Sequence, residues 1–106
     1  MKIVAITSCA TGIAHSYMAA EAITKTAKKK GHQVKVEIQG ALGIENQLSK
    51  ADIENANVII FANDVGITKL ERFTDHKAKI IQTSPHEVIK DPESVLAKAE
   101  NLVEGQ

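Results

Sequence analysis

The chain has one cysteine, no tryptophan, one tyrosine, two phenylalanines and two prolines among its 106 residues. A single thiol, Cys9, excludes an internal disulfide and a C-x-x-C redox pair, so the expected compartment is the reducing cytoplasm. With aromatics at only 3%, the core must be aliphatic, built from Ile, Val, Leu and Ala. Basic and acidic residues balance at 13 each, which leaves no overall field to attract nucleic acid or an anionic membrane. No apolar run approaches the roughly 20 residues that span a bilayer. The opening "MKIVAITSC" lacks a long apolar core region and a cleavage site, so it reads as a strand and not as a signal peptide. His15, His32, His76 and His86 fall in unrelated segments with no second cysteine, so neither metal nor cofactor is expected. What remains is an ordinary apolar fraction, 43%, in a length that suits one domain over residues 1–106.

Along the chain, strand and helix signals alternate. Residues 2–8 are almost continuously apolar, as in a strand covered on both faces. Residues 15–30 read as a helix with a stripe of Met18, Ala19, Ala22, Ile23 and Ala27; Lys28, Lys29 and Lys30 load its last turn and Gly31 stops it. "QVKVEI", 33–38, alternates like an edge strand, and "QGALGIEN" reads as a loop. Ser49 caps a short helix, "NVIIFAND" (57–64) is a second buried strand, a helical piece covers 67–73, and "AKIIQTS" (78–84) is a further strand. Asp91 and Pro92 open a last helix with a stripe of Val95, Leu96, Ala99, Leu102 and Val103; the preceding "PHEVIK" is ambiguous. This order predicts a three-layer α/β/α sandwich, Rossmann-like, with a four-stranded parallel sheet in the order 2-1-3-4. Its topological switch lies between the first and third strands, where such sheets bind ligands.

Cys9 falls at that switch, followed by "ATGIAHS", a run of small residues entering the helix. Gly12 permits a positive φ, and a bare loop ahead of a helix N-terminus lets successive amides converge on an anion. The same field favours the thiolate, so the segment reads as a nucleophile set in a phosphate-sized cradle. A Walker A loop needs Lys and Ser/Thr after its last glycine, where this chain has Ile13, and a dinucleotide fingerprint needs three spaced glycines. The sharper rival is the C-x-x-x-x-x-R-S/T loop of small cysteine phosphatases, which "CATGIAHS" matches in length with His15 in place of arginine. Phosphate hydrolysis needs that bidentate guanidinium, and an acid for the leaving group. His15 could bond the phosphate or fix the turn. Thr11 and Ser16 could donate hydroxyls or cap the helix. Asp64, Gly40 and Gly43 lie on the rim by topology, and Arg72-Phe73 could contact a partner or close the core.

"CATGIAHSYMAAEAI" resembles the phosphocysteine loop and following helix of fructose-class enzyme IIB components of the bacterial sugar phosphotransferase system, whose typical motif is C-P-T-G-I-A-H-T-Y-M-A-A-E-A-L. The resemblance continues through "VEIQGALGIENQLSKADIENANVIIFANDVGI" and "RFTDHK" and so covers most of the chain. Ala10 stands for the usual proline, Ser16 for threonine, and Asp75-His76 for a single glycine. The resemblance implies that Cys9 accepts a phosphoryl group from a phosphohistidine of enzyme IIA and passes it to a sugar, fructose or a related one, carried by the membrane enzyme IIC. The expected phosphate-binding loop is Ala10, Thr11, Gly12, Ile13, Ala14, His15 and Ser16, with the amides of roughly residues 10 to 15 holding the three phosphoryl oxygens. The chain would be a cytoplasmic monomer meeting the inner face of the membrane through IIC. The alternative is a small cysteine phosphatase or an arsenate-reductase-like enzyme. A regulatory domain reporting sugar supply would use the same chemistry.

Overall fold

The computed structural model describes residues 1–9, 13–40 and 43–104, Ile13 by its backbone alone. The elements are β1 (Lys2–Ser8), α1 (Ile13–Lys29), β2 (Gln33–Gly40), β3 (Gly43–Glu45), α2 (Lys50–Asn55), β4 (Val58–Asn63), a 3₁₀ segment (Leu70–Lys79) kinked at His76, β5 (Ile80–Thr83), α3 (Pro85–Lys90) and α4 (Pro92–Glu104).

The sheet runs β3-β2-β1-β4-β5. Four of these strands are parallel and stand in the expected order, but the four-stranded, wholly parallel sheet is corrected to a mixed sheet of five. The added strand β3 pairs antiparallel with the end of β2, Ile38 opposite Glu45 and Gly40 opposite Gly43. It lies in the stretch read as a loop because its three residues are too few to show a period and begin with glycine. Gly43 has φ +127, which only glycine adopts without strain. The expected edge strand β2 is therefore covered over its last residues and open over 33–37.

Alternation along β1 builds two cores. Ile3 and Ala5 face α1, α3 and α4, packing with Ala19, Ile23, Ala27, Val88, Leu96 and Ala99. Val4 and Ile6 face α2 and the 3₁₀ segment, packing with Ile53, Ile59, Phe61 and Phe73. The phenylalanines meet edge to face, ring centroids 5.0 Å apart. The helix α1 starts at Ile13, so His15 lies inside its first turn. Its inward face is Ser16, Ala19, Ala20, Ile23 and Ala27; Met18, expected in the stripe, is 50% exposed because it lies nearly on the opposite side of the helix from the centre of that face. Gly31, at φ +81, ends the helix in a Schellman turn, with the His32 amide reaching Ala27 O at 2.9 Å and the Gly31 amide Lys28 O at 3.0 Å. Ser49 and Asp52 form a reciprocal capping box on α2. Ser84 caps "PHEVIK", which Pro85 opens as the helix α3, and Asp91 accepts from the Ser94 amide in the first turn of α4.

The parallel register carries this fold to its site. Ser8 stands level with Gln39 on one side and Asn63 on the other. The next residues of the three strands, Cys9, Gly40 and Asp64, thus emerge together at the carboxyl edge of the sheet.

Candidate functional site

Cys9 follows the last residue of β1 and is half-buried. Its Sγ lies 3.4 Å from Asp64 Oδ2 and 3.8 Å from His15 Nδ1. Asp64 is placed by its own amide, which donates to Ser8 O at 3.1 Å, and His15 by the first turn of α1. That turn holds no acidic side chain, so its positive end is not offset by a carboxylate of its own. The sulfur therefore stands between two opposed influences. The positive end of the helix attracts negative charge at the sulfur, and the carboxylate of Asp64 repels it.

A cavity of about 390 Å³ opens beside the sulfur, lined by Ser8, Cys9, Gln39, Gly40, Gly43, Ile44, Val65, Gly66 and Thr68. Gly40 and Gly43 thus share this cavity with Cys9. Ala14 is exposed on α1. Ser16 points inward and is buried, its hydroxyl, like that of Thr7 near the end of β1, without a hydrogen-bond partner among the described residues. Ser16 therefore does not cap the helix. Ala10, Thr11 and Gly12 lie outside the described residues. A larger groove of about 700 Å³ between α1 and the open edge of β2 does not include Cys9.

Sequence reasoning missed the polar cluster behind the cavity. Glu37 has no exposed surface. Its carboxylate accepts both arms of Arg72, Nη1 at 2.8 Å and Nη2 at 2.9 Å, together with Gln39 Nε2 at 2.8 Å and the Leu48 amide at 2.7 Å. Burial pushes its carboxyl up, but the bonds from Arg72, Gln39 and Leu48 outweigh that and hold it below its usual range. Arg72 also donates to Leu48 O and Lys69 O and stacks over Phe73. Phe73 closes the core, and Arg72 is engaged inside the protein instead of being held out toward a partner. The signal available was a glutamate in the alternating strand "QVKVEI", on a side the fold buries. Strand alternation alone did not say which side that is.

The geometry defines a class: a thiol at the mouth of a doubly wound α/β sheet, beside a helix N-terminus. Residues 4–98 match the family model described as "PTS system, Lactose/Cellobiose specific IIB subunit", and the chain belongs to the IIB family of the phosphotransferase system. Within that family it is of the fructose type. It is 41% identical over 99 residues to the PTS system fructose-like EIIB component 2 of Escherichia coli K12, covering 93% of this chain and 92% of the relative. The solution structure of an Enzyme IIB subunit of the PTS system from Escherichia coli K12 superposes with TM-score 0.89 at 33% identity, covering 98% of this chain and 94% of that one. A segment of the fructose-specific EIIABC component of Mycoplasma pneumoniae is 46% identical over 92 residues, 87% of this chain and 13% of that protein. The arginine phosphatase YwlE is similar at TM-score 0.50 and 13% identity, which is a likeness of fold alone.

Proposed function

We propose that Cys9 carries a phosphoryl group. In the first step the sulfur attacks the phosphorus of a phosphohistidine on enzyme IIA. An S–P bond forms, the N–P bond breaks with its electron pair going to the imidazole nitrogen, and the thiol proton passes to the released imidazole. In the second step a sugar hydroxyl held by the membrane enzyme IIC attacks the same phosphorus. An O–P bond forms, and the sulfur departs as thiolate. Both are in-line displacements, for which positioning and charge stabilisation supply most of the rate. The amides of residues 10–15 hold the three phosphoryl oxygens, and the helix terminus balances their charge without a metal. The base for the sugar hydroxyl belongs to IIC.

The observation that carries this reading is the sulfur's place between the end of β1 and the N-terminus of α1, whose first turn holds no acidic residue. The EIIABC name of the Mycoplasma relative, which joins A, B and C in one protein, supports the choice of partners. No described helix is long and apolar enough to cross a membrane, in keeping with a cytoplasmic subunit that meets IIC at the inner face. Fructose or a close relative is the sugar, on the strength of the relatives' names. The subunit acts as a monomer.

The test is phosphorylation by a donor IIA charged from phosphoenolpyruvate, followed by intact-mass measurement. The wild type is expected to take one phosphoryl group and Cys9→Ser none, since a hydroxyl is a far poorer nucleophile at neutral pH. A Cys9→Ser variant that still sustained sugar phosphorylation would overturn the assignment. Turnover of p-nitrophenyl phosphate by the isolated chain would instead favour a cysteine phosphatase.

A further inference from the structure

Residues 64–69 join β4 to the 3₁₀ segment with neither helix nor strand, yet this stretch carries Asp64 and one wall of the cavity beside Cys9. Its backbone polar groups must therefore find partners elsewhere. The Asp64 amide reaches Ser8 O, and Asn63 Nδ2 donates to Val65 O at 2.7 Å. The middle of the loop is held chiefly by Gln39, with Arg72 Nη2 also reaching Thr68 O at 3.5 Å. Gln39 Oε1 accepts from the Thr68 amide at 2.9 Å, and Gln39 Nε2 donates back to Thr68 O at 3.2 Å. That primary amide thus stands in for a neighbouring strand. The same Nε2 is fixed on the other side by the buried carboxylate of Glu37, which Arg72 grips with its fork while bonding Lys69 O at 3.0 Å. Lys69 itself sits at φ 59, a left-handed conformation that a non-glycine residue keeps only where its surroundings impose it.

We infer that Gln39, locked by the Glu37–Arg72 pair, is a positioning residue for Cys9. It pins the loop at Thr68 so that the Asp64 carboxylate stays against the sulfur and Val65, Gly66 and Thr68 keep the cavity wall in place. The inference deepens the phosphocarrier reading and rests on it for its consequence in transfer. A loop displaced by about 1 Å would lower phosphoryl transfer on the order of a hundredfold. The coupling between clamp and sulfur, by contrast, can be read without any partner protein.

Cys9 is the only thiol of the chain, so its alkylation by iodoacetamide at pH 7 can be followed with no background. Among the described residues, Asp64 from the loop and His15 from α1 place ionisable side chains against the sulfur. A carboxylate at 3.4 Å opposes the negative charge on sulfur that alkylation uses. Asp64→Asn is therefore expected to raise the alkylation rate about three- to tenfold. Gln39→Leu leaves both side chains in the sequence but releases the loop. It is expected to raise the rate as well, and the double variant no further than Asp64→Asn alone. A Gln39→Leu rate equal to that of the wild type would overturn the inference, as would fully multiplicative effects in the double variant or an unchanged rate in Asp64→Asn. Arg72→Lys keeps a cation beside Glu37 and removes the fork; it carries the same expectation if Gln39→Leu lacks a native amide NMR spectrum. Phosphoryl transfer from charged IIA is measured alongside. A wild type that accepts no phosphoryl group would refute the carrier reading, while the alkylation rates would still decide the clamp.

Discussion

Replacing Arg72 by methionine is expected to destabilise the fold severely and in a pH-dependent way. The substitution removes both short contacts to Glu37, at 2.8 and 2.9 Å, and leaves a carboxylate with no exposed surface facing only Gln39 and the Leu48 amide. Breaking a buried ion pair from one side costs about 3–5 kcal/mol, because the surviving charge remains buried. Set against a total stability of about 5–15 kcal/mol, that is a drop in Tm of roughly 15–30 °C for a domain of this size. The sign of the pH dependence follows from the carboxyl. In the wild type it is held below its unfolded value of 4.5, so its contribution is present above that value and fades as pH falls through the lower folded one. Without Arg72, burial dominates and the folded value rises above 4.5. The variant's deficit is then largest near neutrality and shrinks as acid neutralises the carboxyl. Urea denaturation of both proteins from pH 7.5 to pH 4 measures this. A deficit under about 1 kcal/mol, or one that does not change with pH, would refute the reasoning. Adding Glu37→Leu is expected to recover part of the loss, but not all of it, because Gln39 and the Leu48 amide then lack their acceptor.

Asp52 accepts from Lys35 at 2.8 Å and from the Ser49 amide at 2.9 Å, which hold its carboxyl down at about 2; an NMR titration midpoint near the ordinary 3.8 would refute those contacts, and Lys35→Ala should raise it. Ile23→Ala should cost about 2–5 kcal/mol in chemical denaturation, since Ile23 is fully buried under the sheet. Met18→Ala, one turn earlier on the same helix, should stay within about 0.5 kcal/mol, and a larger loss would mean that Met18 packs where the structure leaves it exposed.

The sequence was most legible where one local rule dominated. The apolar run of β1 and β4, the glycine stop at Gly31 and the caps at Ser49 and Asp91 each carry their own signal, and the order of the four parallel strands followed from handedness. Cys9 stood out as the one thiol at a strand–helix junction. What escaped depends on partners distant in sequence. β3 exists because Gly43–Glu45 finds the end of β2, and three residues carry no pattern of their own. Met18 satisfied a helical stripe on paper but falls outside the face that α1 turns to the sheet. Glu37 and Arg72 meet across 35 positions of sequence, and a glutamate in an alternating strand reads as solvent-facing until its partner is known.

Because β1 lies between β2 and β4, the first strand to be synthesised is satisfied in two instalments. Ile3 pairs with Val34 on one side and with Val58 on the other. At about 5–20 residues per second, the interval from Val34 to Val58 takes roughly one to five seconds on the ribosome. During that time the β1–α1–β2 unit has one edge of β1 unpaired and the face bearing Val4 and Ile6 uncovered, since Ile59 and Phe61 arrive only with β4. The nascent chain therefore passes through a stage whose exposed apolar edge invites chaperones or a second nascent copy. Ribosomes stalled between these two points would hold that stage for capture, which the finished domain no longer displays.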